Sequence, residues 1–244
     1  MNQRPYVLSI AGFDPSAGAG VLADVKTFEQ HEVYGFGVCS ALTVQNDQEF
    51  ERTQWLEKEQ IMDQVAVLTR RFRIDACKIG IVPSMEVLLG VLDFLKAHNP
   101  SMCIVLDPVL KATAGYSFHT SVDPAELRRV LTQLSLVTPN YEEKVQLDSM
   151  LGSPIEAFCN VLLKGGHHPA RKGVDVLYEN GKAFEIPAGV AEVQQKHGSG
   201  CVLASAITAR LALGNTLLES CRLAKTYTEV FLNSNNSLLG YHHL

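Results

Sequence analysis

The chain has 244 residues, 46% of them hydrophobic and 19% charged, with a net charge of -5 at pH 7 and an isoelectric point of about 5.9. That is apolar material for one large α/β domain or two small ones, and the acidic balance argues against nucleic acid as a partner, because backbone phosphates need a basic face. No apolar run reaches membrane-spanning length, and the opening Met-Asn-Gln-Arg-Pro-Tyr has no signal-peptide or transit character, so a cytoplasmic location away from the membrane is expected.

Short apolar runs alternate with helical patterns along the chain. Tyr6–Gly12 reads as a buried strand, followed by a Gly-rich turn and a helix over Gly20–Gln30. Gly37–Val44 reads as a strand, Ile61–Phe72 as a helix, and Ala76–Val82 as a strand stopped by Pro83. Met85–Ala97 is helical. Cys103–Asp107 and Leu134–Thr138 are buried strands that end at Pro108 and Pro139, and Asn160–Lys164 ends at Gly165-Gly166. Val174–Tyr178 and Ala183–Pro187 flank Asn180-Gly181, a hairpin signal. Two helices close the chain, near Cys201–Leu213 and Thr216–Phe231. Continuously apolar strands imply burial on both faces, hence a largely parallel sheet between helical layers. No repeat or linker marks a boundary, so residues 1–244 are read as one domain. The six cysteines are dispersed, without a Cys-x-x-Cys pair, and read as free thiols.

In such sheets ligands bind beyond the carboxyl ends of the strands, and the chemistry-bearing residues fall there. Gly198-Ser199-Gly200-Cys201 opens an apolar helix. Its glycines admit a ligand close to the backbone, and its free N–H groups and dipole suit a phosphate. The same field is expected to lower the Cys201 thiol pKa and enrich the thiolate; the alternative is a strand-to-helix turn with a buried cysteine. Near the N-terminus, Gly12, Gly18, Ala19 and Gly20 leave room for a flat ligand. Asp24, one turn on, either faces that space or is a solvated helix residue. Gln45 carries a donor and an acceptor that match an aminopyrimidine edge, or is a polar strand terminus. Asp107 and Glu143 offer acidic oxygens from separate strand ends for Mg²⁺. Asn140 with Glu143 also reads as a capping box. Lys164 beside two glycines is placed for phosphate oxygens, or is solvated.

Taken in order, Ile10–Gly20, Ala23–Phe28, Ser40–Asn46, Cys77–Gly80, Leu106–Val109, Thr138–Glu143, Lys164–His167 and His197–Cys201 resemble the hydroxymethylpyrimidine/phosphomethylpyrimidine kinases of thiamine biosynthesis, in the ribokinase-like superfamily. The resemblance covers essentially the whole chain. It implies a three-layer α/β/α fold, a mostly parallel sheet with helices on both faces, usually as a homodimer. It implies ATP-dependent phosphorylation of 4-amino-5-hydroxymethyl-2-methylpyrimidine and then of its monophosphate, with Mg²⁺ and room for a monovalent cation. By the same resemblance Gly12, Ala19, Asp24, Gln45 and Val109 line the pyrimidine pocket, and Asp107 and Glu143 organise Mg²⁺. Lys164 and Asn140 lie on the ATP side. Gly198, Ser199 and Gly200 form the anion hole, and Cys201 stands where related sugar kinases carry a catalytic aspartate.

Four positions depart from the family pattern. Ala17 replaces a glycine, which is tolerated if its φ is negative. Ala112–Gly115 replaces a Lys-Ser/Thr-Gly stretch. Lys196 stands where a threonine is usual. Little chain separates Leu147 from Val161, which puts the adenine contacts in question. Two other functions stay open: a pyridoxal/pyridoxine kinase, and a non-catalytic precursor-binding protein.

Overall fold

The computed structural model describes residues 3–108, 122–166 and 173–243. Val109, the 112–115 stretch and His167 lie outside them. The described strands are β1 (Tyr6–Phe13), β2 (Tyr34–Gln45), β3 (Phe50–Trp55), β4 (Ala76–Ile79), β5 (Cys103–Leu106), β6 (Leu136–Val137), β7 (Val161–Leu163), β8 (Asp175–Glu179) and β9 (Lys182–Ile186). The helices are α1 (Gly20–Gln30), α2 (Lys58–Arg71), α3 (Met85–His98), α4 (Pro124–Leu131), α5 (Tyr141–Leu151), α6 (Ser199–Ala212) and α7 (Leu217–Leu232).

All nine strands form one sheet in the order β3-β2-β1-β4-β5-β6-β7-β8-β9. The run from β2 to β7 is parallel, while β3, β8 and β9 are antiparallel additions at the two edges. The β8–β9 hairpin turns at Asn180-Gly181, both with positive φ, as the dipeptide signalled.

The strands are apolar on both faces, and successive residues serve different layers. Leu8, Ile10, Cys77, Ile79, Ile104 and Leu106 pack with α2, α3, α4 and α5. Val7, Ala76, Val105 and Leu136 pack with α1, α6 and α7. The expected mostly parallel three-layer α/β/α arrangement is therefore what forms. Ser9 and Lys78 interrupt the second face; they are neighbours in the β1–β4 register, and both are fully buried.

The sequence reading passed over two elements. β3 is a mostly polar edge strand, so it has no apolar alternation to detect. α4 is short and opens on Asp123, whose carboxylate accepts from the Ala125 N–H at 2.8 Å, with Pro124 at its first turn. The six cysteines are free thiols.

Chain direction across the sheet reverses at β1. From there the chain moves outward to β2, then returns to β4 on the other side. The crevice between the carboxyl ends of β1 and β4 is where such sheets bind ligands.

Candidate active site

The loop after β1 is folded around one carboxylate. Asp14 Oδ1 accepts from the Ser16 N–H (2.9 Å) and hydroxyl (2.8 Å), and Oδ2 accepts from the Ala19 N–H (2.9 Å). Oδ2 also meets His197 Nε2 at 2.8 Å, which ties the loop to the segment that starts α6. Burial works against the Asp14 carboxylate, but these hydrogen bonds outweigh it and hold its pKa below the ordinary value. Two glycines close the join. A Cβ at Gly198 (φ +74°) would sit 2.0 Å from the Gly18 carbonyl oxygen, and one at Gly20 (φ +62°) 2.1 Å from that of Gly12. Only glycine fits there, and as a result the N-termini of α1 and α6 adjoin one cavity.

That cavity has a volume of about 1220 Å³, beyond the roughly 300–1,000 Å³ of a single-ligand pocket. Gly12, Ala19, Thr43, Gln45 and Ile81 line it on the β1–β2–β4 side, and Ala188, Val190, Val193, Leu203 and Leu232 on the other. Between them stand Asp107, Asn140, Glu143, Lys164 and the 198–201 segment. The connection from α5 to β7 contributes nothing to the lining. Its shortness, a 3-10 turn at Ile155–Ala157 after the left-handed Gly152, does not touch the site. The cavity wall opposite β1 and β2 comes from residues 188–193, α6 and α7.

Lys164 Nζ lies 2.8 Å from Asp107 Oδ1 and 3.9 Å from Glu143 Oε2. The Thr138 hydroxyl also donates to Asp107 Oδ1, at 3.1 Å. Burial opposes the Asp107 carboxylate, but the charges of Lys164 and Lys78 overcome it and its pKa is lowered. Glu143 goes the other way: burial dominates and its pKa is raised despite Lys164. A Cβ on Gly200 would lie 3.5 Å from Asp107 Oδ2 and 3.6 Å from Lys164 Nζ. The turn that opens α6, the lysine and the carboxylate thus face one point. Among the described residues no group of three His, Cys, Asp or Glu side chains forms a metal cage. Two carboxylates beside a lysine and a helix N-terminus do fit Mg²⁺, which keeps several waters and takes few protein ligands.

Three expectations need correction. Asp24 does not line the cavity. It is fully buried, holds Lys78 Nζ at 2.8 and 3.0 Å, and accepts from the Ser9 (2.5 Å) and Ser205 (2.7 Å) hydroxyls. Both oxygens are spent behind the wall. Cys201 is not a ready thiolate: burial raises its pKa, Asp24 and Asp107 raise it further, and Lys78 and the Gly20 amide do not offset this. Ala17 has φ +56°, so the condition set for tolerating an alanine there, a negative φ, is not met. Asn140 is the N-cap of α5, with its side chain accepting from Glu143 N–H (2.9 Å) and Glu143 Oε2 from Asn140 N–H (2.7 Å). Val109 lies outside the described residues. Lys196 is buried at the cavity wall, and its ammonium donates to the Asn235 carbonyl at 2.5 Å.

Sequence reasoning missed the Asp14–His197 clasp and Lys78. The signal for Lys78 was a charged residue at the centre of Ala76-Cys-Lys-Ile79, an otherwise apolar strand.

A family model described as phosphomethylpyrimidine kinase matches residues 14–243. The chain belongs to that family, and it is a phosphotransferase. It is 32% identical over 245 residues to the hydroxymethylpyrimidine/phosphomethylpyrimidine kinase of Rhizobium meliloti (strain 1021), covering 95% of this chain and 91% of that one. Among solved structures it resembles a phosphomethylpyrimidine kinase from Clostridium difficile 630, with 30% identity and a TM-score of 0.76 over 92% of this chain and 98% of that one. It also resembles the Staphylococcus aureus pyridoxal kinase in complex with AMP-PCP, with 25% identity and a TM-score of 0.82 over 96% and 89%. The fold is the ribokinase-like one expected, and the ATP analogue in that neighbour agrees with ATP as the phosphoryl donor.

Proposed function

We propose that this kinase phosphorylates 4-amino-5-hydroxymethyl-2-methylpyrimidine and then its monophosphate, the activity of its thiamine-pathway relatives. The observation that carries the reading is the convergence on Gly200 of the α6 N-terminus, Lys164 and Asp107. It sits between a small-residue pocket and a second, apolar slot. The pyrimidine takes the pocket of Gly12, Ala19 and Gln45, to which the family resemblance adds Val109, and adenine takes the slot of Ala188, Val190, Val193 and Leu232. Gly198, Ser199 and Gly200 hold the transferring phosphoryl. Lys164 and Asn140 stand on the triphosphate side, and Asp107 and Glu143 would hold Mg²⁺, which neutralises phosphate charge when bound. Phosphoryl transfer asks mainly for positioning and charge stabilisation, so Cys201 serves as a protonated polar wall that orients the hydroxyl. The unbroken sheet supports a single domain over residues 1–244. The family resemblance supports a homodimer, and sedimentation of the purified chain tests it. No described helix is long and apolar enough to cross a membrane.

A coupled ADP-release assay with Mg-ATP, comparing the pyrimidine alcohol with pyridoxal, tests the reading. A higher kcat/KM for the pyrimidine is expected. Preference for pyridoxal would assign the chain to vitamin B6 salvage, and tight binding without turnover of either would make it a binding protein.

A further inference from the structure

Lys78 is a fully buried lysine, a costly thing to place in a core. The cost is offset by a closed network. Asp24 on α1 receives the ammonium on both oxygens, the Ser9 hydroxyl from β1 and the Ser205 hydroxyl from α6. Four elements are cross-linked at one point, and two of them, α1 and α6, begin at the anion site. Yet a scaffold alone has no need of charge, since an apolar cluster of equal volume commonly holds elements together as well or better.

The orientation of the pair suggests a second purpose. Lys78 bounds the cavity and Asp24 does not, so the pair is a side-chain dipole with its positive end toward the site. The ammonium is given space by a missing side chain: a Cβ on Gly80 would lie 3.1 Å from Lys78 Nζ. Ser205 sits one helical turn beyond Cys201, which fixes the dipole against the first turns of α6. Its sign matches the two helix N-termini that meet there. Unlike Lys164, which meets its carboxylates at the cavity, Lys78 is locked in place and needs no reorganisation when phosphate arrives, the property that makes an electrostatic site effective.

We propose that Lys78 is a positioning residue for phosphoryl transfer: locked by Asp24, its ammonium supplies a fixed positive potential behind Cys201 and Asp107 at the anion site. This rests on the reading of Gly198–Gly200 as the place of the transferring phosphoryl. The test removes the charges while keeping the network. Ser9 and Ser205 donate to different oxygens of Asp24, so in D24N/K78M the amide accepts from one of these hydroxyls and donates to the other, which turns to accept, and the thioether chain fills the lysine stem's volume. D24N/K78Q is a second charge-free pair. Both are compared with wild type by thermal melting and by steady-state kinetics in pyrimidine and ATP. The expected result is a cooperative melt, KM values within about threefold of wild type, and kcat lower by about tenfold to a hundredfold, the split that loss of transition-state stabilisation gives. A folded pair whose kcat falls less than tenfold, or whose change lies in KM alone, overturns the proposal. So does failure of both pairs to fold, which would assign the charges to folding. If the wild type itself turns over no alcohol, the functional reading fails first, and the proposal with it.

Discussion

Two lysine–aspartate pairs flank the turn that opens α6, each with an Nζ–O distance of 2.8 Å. In the Lys78–Asp24 pair both side chains are out of water, and both aspartate oxygens carry a hydroxyl as well as the ammonium. In the Lys164–Asp107 pair the lysine is 17% exposed. There the protein's hydrogen bonds go to one oxygen, Oδ1, and among the described residues Oδ2 accepts none. A second carboxylate, Glu143, stands 3.9 Å off. The same residue types therefore do different work according to what is left unspent. A closed pair holds a field still. An open pair has a lysine and an oxygen to give to a nucleotide and its metal.

The comparison breaks most visibly at the open pair. Asp107→Asn is expected to lower kcat by about 10²–10³-fold and to raise the Mg²⁺ concentration needed for half-maximal rate, since it removes charge facing the transferring group. Some fall in Tm is expected, because the carboxylate charge that Lys164 and Lys78 favour is lost, but an amide oxygen in the Oδ1 place still accepts from Lys164 and Thr138. A variant with near-normal kcat and unchanged Mg²⁺ dependence would mean that this pair, too, is a frame. Gly198→Ala tests the turn between the pairs. Its left-handed φ and the 2.0 Å approach to Gly18 oxygen leave no room for a methyl. The α6 N-terminus must shift away from Gly18, with an expected kcat loss of about 10²-fold, the scale of one misplaced anion-hole donor. Full activity would show that the amides there are not aimed at the reacting phosphate.

The closed side also has a pH signature. His31, at the end of α1, packs on Tyr227 with ring centroids 4.6 Å apart, and among the described residues neither ring nitrogen has a partner. Burial, aided by Arg210, pushes its pKa down to about 4. His242 is likewise pushed to about 4, by burial and then by Lys26. In the unfolded chain a histidine titrates near 6.5, so between about 6.5 and 4 the unfolded state binds more protons than the folded one. Stability is then complete above about pH 6.5 and falls as the pH drops toward 4, by up to about 1.4 kcal/mol per pH unit for each histidine. His31→Phe should remove about half of that slope in urea melts at pH 4.5, 5.5 and 7. An unchanged slope would show that the ring is solvated.

Cys201 lies between the two pairs, and its substitution sharpens what each contributes. Its raised pKa makes it a thiol, so Cys201→Ser keeps a neutral hydrogen-bonding group and is expected to lower kcat by less than about tenfold, the bottom of the range for a lost general base being about 10². A loss beyond that would restore the thiolate role that the helix position suggests.

Much of this was legible in the sequence, and the rest was hidden for definite reasons. The parallel core strands, α1 and the last two helices follow from apolar runs and their punctuation. So do the site residues at strand ends, because the carboxyl edge of a parallel sheet is fixed by chain direction alone. What failed were statements about which way a side chain turns. Asp24 is one turn from Gly20 and was given to the cavity; only the β1–β4 register, which sets Ser9 beside Lys78, shows that it is committed behind the wall. The Cys201 field was read from one helix terminus, whereas burial and two carboxylates from β5 and α1 outweigh it. That the α5–β7 connection stays out of the cavity lining was equally hidden, because distance along the chain says nothing of which elements wall a cavity.

Ala17 is the smallest test and bears on the loop that the Asp14–His197 clasp holds. Its N–H donates to the Asp14 carbonyl at 3.0 Å, and its own carbonyl accepts from Lys26 at 3.0 Å. Those bonds fix it at φ +56°, a conformation that costs a non-glycine residue about 1–2 kcal/mol. Ala17→Gly relieves that strain and gives part of the gain back as unfolded-chain entropy. The net expected is about 0.5–1 kcal/mol of stabilisation, or a Tm rise of about 1–4 °C in a chain of this size. Activity should stay within about twofold, because the methyl is not among the atoms the clasp uses. A fall in Tm would mean that the entropy term outweighs the strain, so that the loop gains rigidity from alanine at little conformational cost. The contrast between a locked side and an open side would then extend to the loop that joins them.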